Sequence, residues 1–134
     1  MVGFGPLTAV LDSGGLSAIA RERETVATLI SRGLWPPEVP AVVLVECLTG
    51  DHRRDHATNR VIDLCMVREV SETMSRRAAT LRTRTGRAAS ISAVDAVVVA
   101  LAEGLENPTV ITSDEHDVRD LSAQSNRAIR VLNA

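Results

Sequence analysis

Short apolar runs separated by helical segments constrain the fold of this chain more than any other feature. Such runs occur at 7–11, 66–70, 109–112 and 129–132, and their length is typical of strands that are buried on both faces. Segments with apolar residues spaced by three and four lie between them, which indicates amphipathic helices. Strands that alternate with helices predict a parallel sheet covered by helices. We therefore predict one domain over 1–134 with a three-layer α/β/α fold and a central, mainly parallel sheet.

The helical pattern begins directly after the first strand, where Asp12 and Ser13 precede an apolar stripe. A second helix is predicted over 22–32, with Val26, Leu29 and Ile30 facing inward. The run at 41–48 is apolar almost all round, which indicates a buried element and favours a helix over a strand. Further helices are predicted over 51–64, 74–88, 92–106 and 114–123.

Composition excludes several classes of function. The chain has 15 basic residues and a formal net charge of −2, and because every basic residue is an arginine, no lysine nucleophile or phosphate-binding P-loop lysine exists. Two aromatic residues, Phe4 and Trp35, are too few for a base-stacking platform. Cys47 and Cys65 lack zinc or redox spacing and lie in apolar runs, so we expect buried free thiols. With no signal peptide and no membrane-spanning run predicted, we expect a cytoplasmic protein.

Carboxylates in apolar surroundings are the strongest candidates for chemistry. Asp12 ends the first strand, Asp114 follows the strand at 109–112, and Glu46 and Asp95 lie inside apolar runs. An ionised carboxylate in such surroundings needs a cation or hydrogen-bond donors. Because parallel strands end at the same edge of a sheet, we expect Asp12 and Asp114 to lie close together. Ligands that are all oxygen atoms favour Mg²⁺ or Mn²⁺.

Helix capping is the alternative role for three of these acids. Asp12 or the adjacent Ser13 can cap the first helix, Asp95 can form a capping box with Ser92, and Asp114 can cap the last helix. Glu46 has no capping role in the middle of its run. We therefore expect Glu46 to be buried and kept for function rather than for stability.

Four acidic segments resemble the PIN-domain family in their order and spacing. They are Leu11-Asp12-Ser13 and the segments at 43–50, 92–96 and 112–117, each with its own apolar run, and the segment at 83–87 is similar as well. Within that family the chain most resembles the VapC toxins of VapBC toxin–antitoxin pairs, and the resemblance extends over essentially the whole sequence.

The resemblance implies a PIN-like fold and a metal-dependent endoribonuclease that uses Mg²⁺, with Mn²⁺ as a substitute. Asp12, Glu46, Asp95 and Asp114 match the family's catalytic and metal-binding quartet, and Asp117 matches an optional fifth catalytic acid. The resemblance also implies a homodimer that a VapB-like antitoxin inhibits. Ser13 and Thr112 are predicted to hold the ligand carboxylates or metal-bound water in place.

An arginine cluster precedes the third acid of the quartet. Between residues 75 and 90 the charged side chains are all arginines, which gives a local charge of +5. The cluster is either a solvated face or a rim that binds RNA phosphates. The candidates for phosphate binding are Arg76, Arg77, Arg84 and Arg87.

Two other functions compete with the nuclease. A phosphotransfer domain also places an aspartate at the end of its first strand, but it relies on a lysine that this chain lacks. A PIN-like module that binds RNA or a partner without cleaving remains open. Cleavage of an RNA pool with Mg²⁺ or with EDTA separates such a module from a nuclease.

Overall fold

A five-stranded sheet forms the centre of the computed structural model, which describes residues 6–134. All neighbouring strands are parallel, and their order is β3-β2-β1-β4-β5. The strands are β1 (Thr8–Leu11), β2 (Glu38–Pro40), β3 (Met66–Arg68), β4 (Pro108–Thr112) and β5 (Arg130–Asn133).

Helices cover both faces of this sheet. The part of the chain at 6–134 contains α1 (Ser13–Arg21), α2 (Arg23–Ser31), α3 (Val43–Cys47), α4 (His52–Ile62), α5 (Glu72–Arg84), α6 (Ala93–Glu103) and α7 (Glu115–Ala123). Helix α1 packs against α2, α3 and α4, while α6 packs against α5 and α7. The two groups are the outer layers of a three-layer α/β/α fold, which confirms the predicted class.

The centre of the sheet explains why its sequence is so apolar. β1 pairs with β4 in a register that places Val10 beside Val110 and Leu11 beside Ile111. All four side chains are buried. Burial of each aliphatic side chain of this size contributes about 1.5–3 kcal/mol to the stability of the fold, so these strands hold the two helical layers together.

The order of the strands places a crevice beside β1. The chain runs outward from β1 through β2 to β3, then returns to the other side of β1 for β4 and β5. The direction of winding therefore reverses between β1 and β4. In open parallel sheets, ligands bind at the carboxyl ends of the strands beside such a reversal.

Strand β2 is not predicted from the sequence; it is only three residues long and ends at Pro40. A glutamate between prolines does not look like a strand. In the fold, Glu38 is buried and forms an ion pair with Arg68 of the neighbouring strand β3. The strand predicted at 66–70 exists but ends at Arg68, and it lies at the exposed edge of the sheet.

The buried element predicted at 41–48 is wrong in one respect. Its helical part is α3, and only one face of α3 meets the core: Val43 is buried, and Leu44 and Cys47 pack against the core. Val45 is 79% exposed, and Glu46 is exposed as well. Because successive helical residues are about 100° apart, a five-residue helix at the end of a sheet presents its other face to solvent.

The remaining elements follow the predictions, with ends shifted by a few residues. One further orientation is wrong: Ile30, predicted to face inward, is 56% exposed. Both cysteines are free thiols, as predicted, but they are half-buried rather than buried. Within residues 6–134 no helix is long and apolar enough to cross a membrane.

Candidate acidic site

Asp12 is buried where β1 passes into α1. One carboxylate oxygen, Oδ1, accepts a hydrogen bond from the Gly15 N–H at 2.7 Å, and Asp12 is the N-cap of α1. The other oxygen, Oδ2, accepts a hydrogen bond from the hydroxyl group of Thr112 at the end of β4. The capping role is therefore confirmed, and it leaves the carboxylate fixed at the crevice beside β1.

Two glycines allow this close approach of α1 to β4. A Cβ atom at Gly15 would lie 2.3 Å from the carbonyl oxygen of Ile111, and one at Gly14 would lie 1.7 Å from Oγ of Ser113. Any larger residue at position 15 would meet backbone that cannot move aside easily. The glycines thus bring the first turn of α1, with Asp12, against the end of β4.

Thr112 connects the two acids that the topology predicts to be neighbours. Its hydroxyl group donates to Asp12 and accepts a hydrogen bond from the backbone N–H of Asp114 at 2.8 Å. The predicted contact of Thr112 with a candidate ligand is present. Ser13 is placed differently: within residues 6–134 its side chain forms no hydrogen bond with these acids, and its carbonyl oxygen accepts from the Cys47 thiol at 3.7 Å.

Within residues 6–134, three aspartates form the one group of acids close enough together to hold a metal ion, called the tightest group below. Asp95, Asp114 and Asp117 each contribute one oxygen, and these oxygens lie within 4.8 Å of one another. Asp114 occupies the N-cap position of α7 without a capping hydrogen bond from its side chain, so its carboxylate is not used by the helix. Ser92 caps α6 by accepting from the N–H groups of Val94 and Asp95.

Burial and neighbouring negative charges raise the pKa values of two of the acids. The pKa of Asp95 is raised to about 8, first by burial, then by a hydrogen bond with Asp114, and then by the charges of Asp114, Asp12 and Glu46. Burial also raises the pKa of Asp12, with smaller contributions from Asp114 and Glu46. Burial and the neighbouring negative charges thus both favour the protonated form of Asp95.

Glu46 faces this group from outside it. The prediction that Glu46 is buried is wrong, because it lies on the exposed face of α3. Its charge nevertheless contributes to the raised pKa values of both Asp12 and Asp95. The structure therefore brings all four acids of the predicted quartet to one edge of the sheet, with Asp117 in the tightest group.

An arginine that the sequence analysis did not connect with Asp117 contacts it directly. The guanidinium group of Arg87 donates from Nη2 to Asp117 Oδ1 at 2.7 Å and from Nη1 to Asp120 Oδ2. The pairing joins residues that are 30 and 33 positions apart. No local pattern in the sequence indicates it.

The other candidate arginines have different surroundings. Arg77 donates two hydrogen bonds to Glu103, at 2.5 Å and 2.8 Å, and Arg76 pairs with Glu72 on the exposed face of α5. Arg84 is exposed, and within residues 6–134 it forms no ion pair. The cluster that appears uniform in the sequence thus contains two partly buried arginines in ion pairs, Arg77 and Arg87, and two exposed ones, Arg76 and Arg84.

The donor set fits a divalent cation of the magnesium type. All the donors in the group are carboxylate oxygens, and three of them are close enough to reach one ion. The raised pKa of Asp95 reflects crowded negative charge of the kind that a bound cation would offset. Such an arrangement can hold a cation, a water molecule and a phosphate oxygen together.

The acids lie at an open edge rather than in a closed cavity. A cavity of about 440 Å³ does exist, but it is lined by residues of α1, α2 and α4 and contains none of the acids. Asp114 and Glu46 are exposed, while Asp12 and Asp95 are buried behind them. An open edge of this kind is accessible to a polymer.

Comparison with solved structures identifies the same fold elsewhere. The DNA-bound VapBC structure from Salmonella typhimurium contains a chain that is 12% identical, with a TM-score of 0.69, and the match covers 95% of this chain and 98% of that one. VapBC2 from Rickettsia felis bound to a promoter DNA fragment gives 13% identity and a TM-score of 0.70, with 94% and 98% covered. The FitAB structure with the IR36 DNA fragment contains a chain that is 18% identical, with a TM-score of 0.66, and the match covers 94% of each chain.

These similarities show the fold. No protein-family model matches the sequence, and comparison with curated protein sequences finds no similar protein. The chain therefore shares a three-layer, PIN-like fold with chains of the VapBC and FitAB structures, at 12–18% sequence identity.

Proposed function

We propose that this protein is a metal-dependent endoribonuclease of the VapC toxin type. The observation that carries the proposal is the group of Asp95, Asp114 and Asp117 at the reversal of the sheet, where the pKa of Asp95 is raised to about 8. Crowded carboxylates repel one another and so lower the free energy of unfolding. A metal site gives a reason for keeping them. The fold shared with VapBC and FitAB chains supports the toxin assignment.

Phosphodiester hydrolysis at this site would need a metal ion, carboxylates that bind it, and groups that orient those carboxylates. A Mg²⁺ ion held at this site would supply an activated water and would offset the charge on the phosphoryl oxygens and on the leaving 3′-oxygen. We propose that its ligands are Asp12, Glu46, Asp95 and Asp114, and that Mn²⁺ can replace Mg²⁺. Asp117 is proposed as a fifth catalytic acid, because one of its carboxylate oxygens lies within 4.8 Å of oxygens of Asp95 and Asp114. A cation at this site would favour the ionised form of Asp95, whose pKa is raised in the metal-free protein. Thr112 keeps the Asp12 carboxylate turned toward the site.

RNA phosphates are proposed to bind along α5, which packs against α6, the helix that carries Asp95. Arg84 and Arg76 have exposed side chains and are the proposed contacts; Arg76 makes only a solvent-exposed pair with Glu72 of its own helix, whereas Arg77 and Arg87 form partly buried pairs with carboxylates of α6 and α7. Phosphate contacts position the strand without reading its sequence. This separates binding, at the arginines, from cleavage, at the acids.

Two protein partners belong to the proposal. By analogy with the VapBC and FitAB structures, a VapB-like antitoxin is proposed to neutralise the enzyme, and a homodimer is the proposed state of the chain. A short upstream reading frame for a DNA-binding protein is the expected genetic neighbour. Co-expression of the two chains is expected to yield a complex of defined mass.

The activity is tested with a radiolabelled RNA pool. We expect cleavage with Mg²⁺ or Mn²⁺, none in excess EDTA, and recovery when Mg²⁺ is restored. RNA binding without cleavage at saturating metal would support a non-cleaving module instead. Saturable cleavage in EDTA, from a preparation free of contaminating nuclease, would exclude the metal-dependent mechanism.

A further inference from the structure

Arg87 is held rigidly at both its backbone and its side chain. Its N–H donates to Oγ1 of Thr85 at 3.0 Å, and its carbonyl oxygen accepts from the N–H groups of Ser90 at 2.9 Å and Ile91 at 3.0 Å. The guanidinium group spans Asp117 and Asp120, one turn apart on α7. The loop between α5 and α6 is thereby tied to the first turns of α7.

This tie has consequences for the acids. The same loop leads through the buried Ile91 into α6, where Asp95 lies in the first turn. Asp117, at the other end of the tie, belongs to the tightest group together with Asp95 and Asp114. Arg87 therefore connects the two helices whose N-terminal turns carry these acids.

We propose that Arg87 is a positioning residue of the acidic site: its guanidinium group fixes the Asp117 carboxylate against Asp95 and Asp114, so that the three are arranged to receive a divalent cation. The inference rests on the proposed metal site and is independent of which RNA is cleaved. It assigns Arg87 to the metal side of the site rather than to the phosphate-binding rim.

Removal of Arg87 has two effects of opposite sign on metal binding. Loss of a nearby positive charge strengthens the attraction between the acids and a cation. Loss of the hydrogen bonds that orient a carboxylate beside a metal weakens binding, typically 10- to 100-fold. The sign of the change therefore separates a positioning residue from a simple counter-charge.

The experiment is a titration with Mn²⁺ alone, in which electron paramagnetic resonance measures the free ion. For Arg87→Ala we expect Mn²⁺ affinity to fall by about tenfold or more. Arg119→Ala is the matched control, because Arg119 lies on α7 and pairs with Glu115 rather than with Asp117. Its Mn²⁺ affinity is expected to equal that of the wild type.

A double-mutant cycle identifies the route of the effect. If Arg87 acts through Asp117, the affinity of Asp117→Asn is expected to change little when Arg87→Ala is added. Additive losses would overturn this route. Arg87→Lys keeps the charge with a single donor group and serves if Arg87→Ala does not fold; its expected affinity lies between those of the wild type and Asp117→Asn.

The outcomes distinguish this inference from the proposed function. If the wild type fails to bind Mn²⁺, the metal site itself is wrong. If the wild type binds and Arg87→Ala or its lysine substitute binds equally well or more tightly, the metal site stands and the positioning role of Arg87 is overturned.

Discussion

The hydroxyl group of Thr112 donates a hydrogen bond to the buried carboxylate of Asp12, although the two residues are 100 positions apart in the sequence. The bond joins the carboxyl ends of β1 and β4, the neighbouring strands at which the winding of the sheet reverses. It favours the ionised form of Asp12, against burial that raises its pKa. One hydrogen bond thus links the topology of the fold to the electrostatics of the site.

Replacement of Thr112 tests this link. Thr112→Val removes the hydroxyl group and leaves both Asp12 Oδ2 and the Asp114 N–H without their partner, which is expected to lower the free energy of unfolding by about 1–3 kcal/mol. The rate of RNA cleavage is expected to fall by about 10- to 100-fold. Thr112→Ser keeps the hydroxyl group and is expected to restore most of the activity; equal activities in the two variants would contradict the role of this bond.

The close approach of α1 to β4 makes a second prediction. Gly15→Ala would place a Cβ atom 2.3 Å from the Ile111 carbonyl oxygen, and we expect a loss of about 1–3 kcal/mol in chemical denaturation. Gly104→Ala is the matched control, because its Cβ atom would be 3.6 Å from the nearest atom outside its neighbours, the Leu101 carbonyl oxygen. Equal stability of the two variants would show that the close approach imposes no constraint.

The raised pKa of Asp95 predicts how stability depends on pH. The native state binds more protons than the unfolded state between the ordinary value of 3.8 and about 8. Stability of the metal-free protein therefore falls as pH rises through this interval, and the loss persists above it. Calorimetric melting is expected to show a lower melting temperature at about pH 9 than at about pH 6, with Mg²⁺ recovering more stability at the higher pH.

Asp95→Asn is expected to remove most of this pH dependence and to raise the melting temperature above about pH 8 while abolishing cleavage. Glu72→Gln removes an exposed acid on α5 and serves as the control. If the two variants show the same pH profile as the wild type, Asp95 is not the group that titrates.

The arginines of α5 are predicted to separate into two roles. Arg84→Ala is expected to weaken binding to unrelated RNAs and to lower the slope of log affinity against log salt by about 0.7 for a single-stranded RNA. Arg77→Ala breaks a partly buried pair with Glu103, whose pKa is held at about 2 chiefly by the hydrogen bond from Arg77. It is therefore expected to lower the melting temperature near neutral pH, an effect that disappears as pH falls from about 4.5 toward 2. A large slope change without loss of stability in Arg77→Ala would reverse this assignment.

Sequence periodicity is sufficient to predict the layers of this fold and the meeting of Asp12 with Asp114, because parallel strands end at one edge. It fails for β2, where prolines at both ends mask a three-residue strand. It also wrongly predicts that Glu46 is buried, because an apolar run does not indicate which face of a short helix contacts the core. For this reason Asp95, rather than Glu46, is the better residue for testing the cost of the crowded charges.

Contacts between distant side chains lie beyond any local pattern. The pairing of Arg87 with Asp117 and Asp120 depends on how the α5–α6 loop meets α7, which only the packed structure determines. A run of arginines in the sequence looks like a single basic surface. In the fold, Arg77 and Arg87 are tied to carboxylates and Arg84 is exposed.

The most direct test of the account is the rate of RNA cleavage by Asp114→Asn at saturating Mg²⁺, under single-turnover conditions. Asp114 makes no capping hydrogen bond through its side chain, and its charge adds to the repulsion around Asp95, so the variant is expected to fold and to melt no lower than the metal-free wild type. Asp63→Asn, an exposed acid at the end of α4, is the control and is expected to cleave at the wild-type rate. The account predicts that Asp114→Asn loses cleavage by orders of magnitude while it still binds RNA; a folded Asp114→Asn protein that cleaves as fast as the control would contradict it.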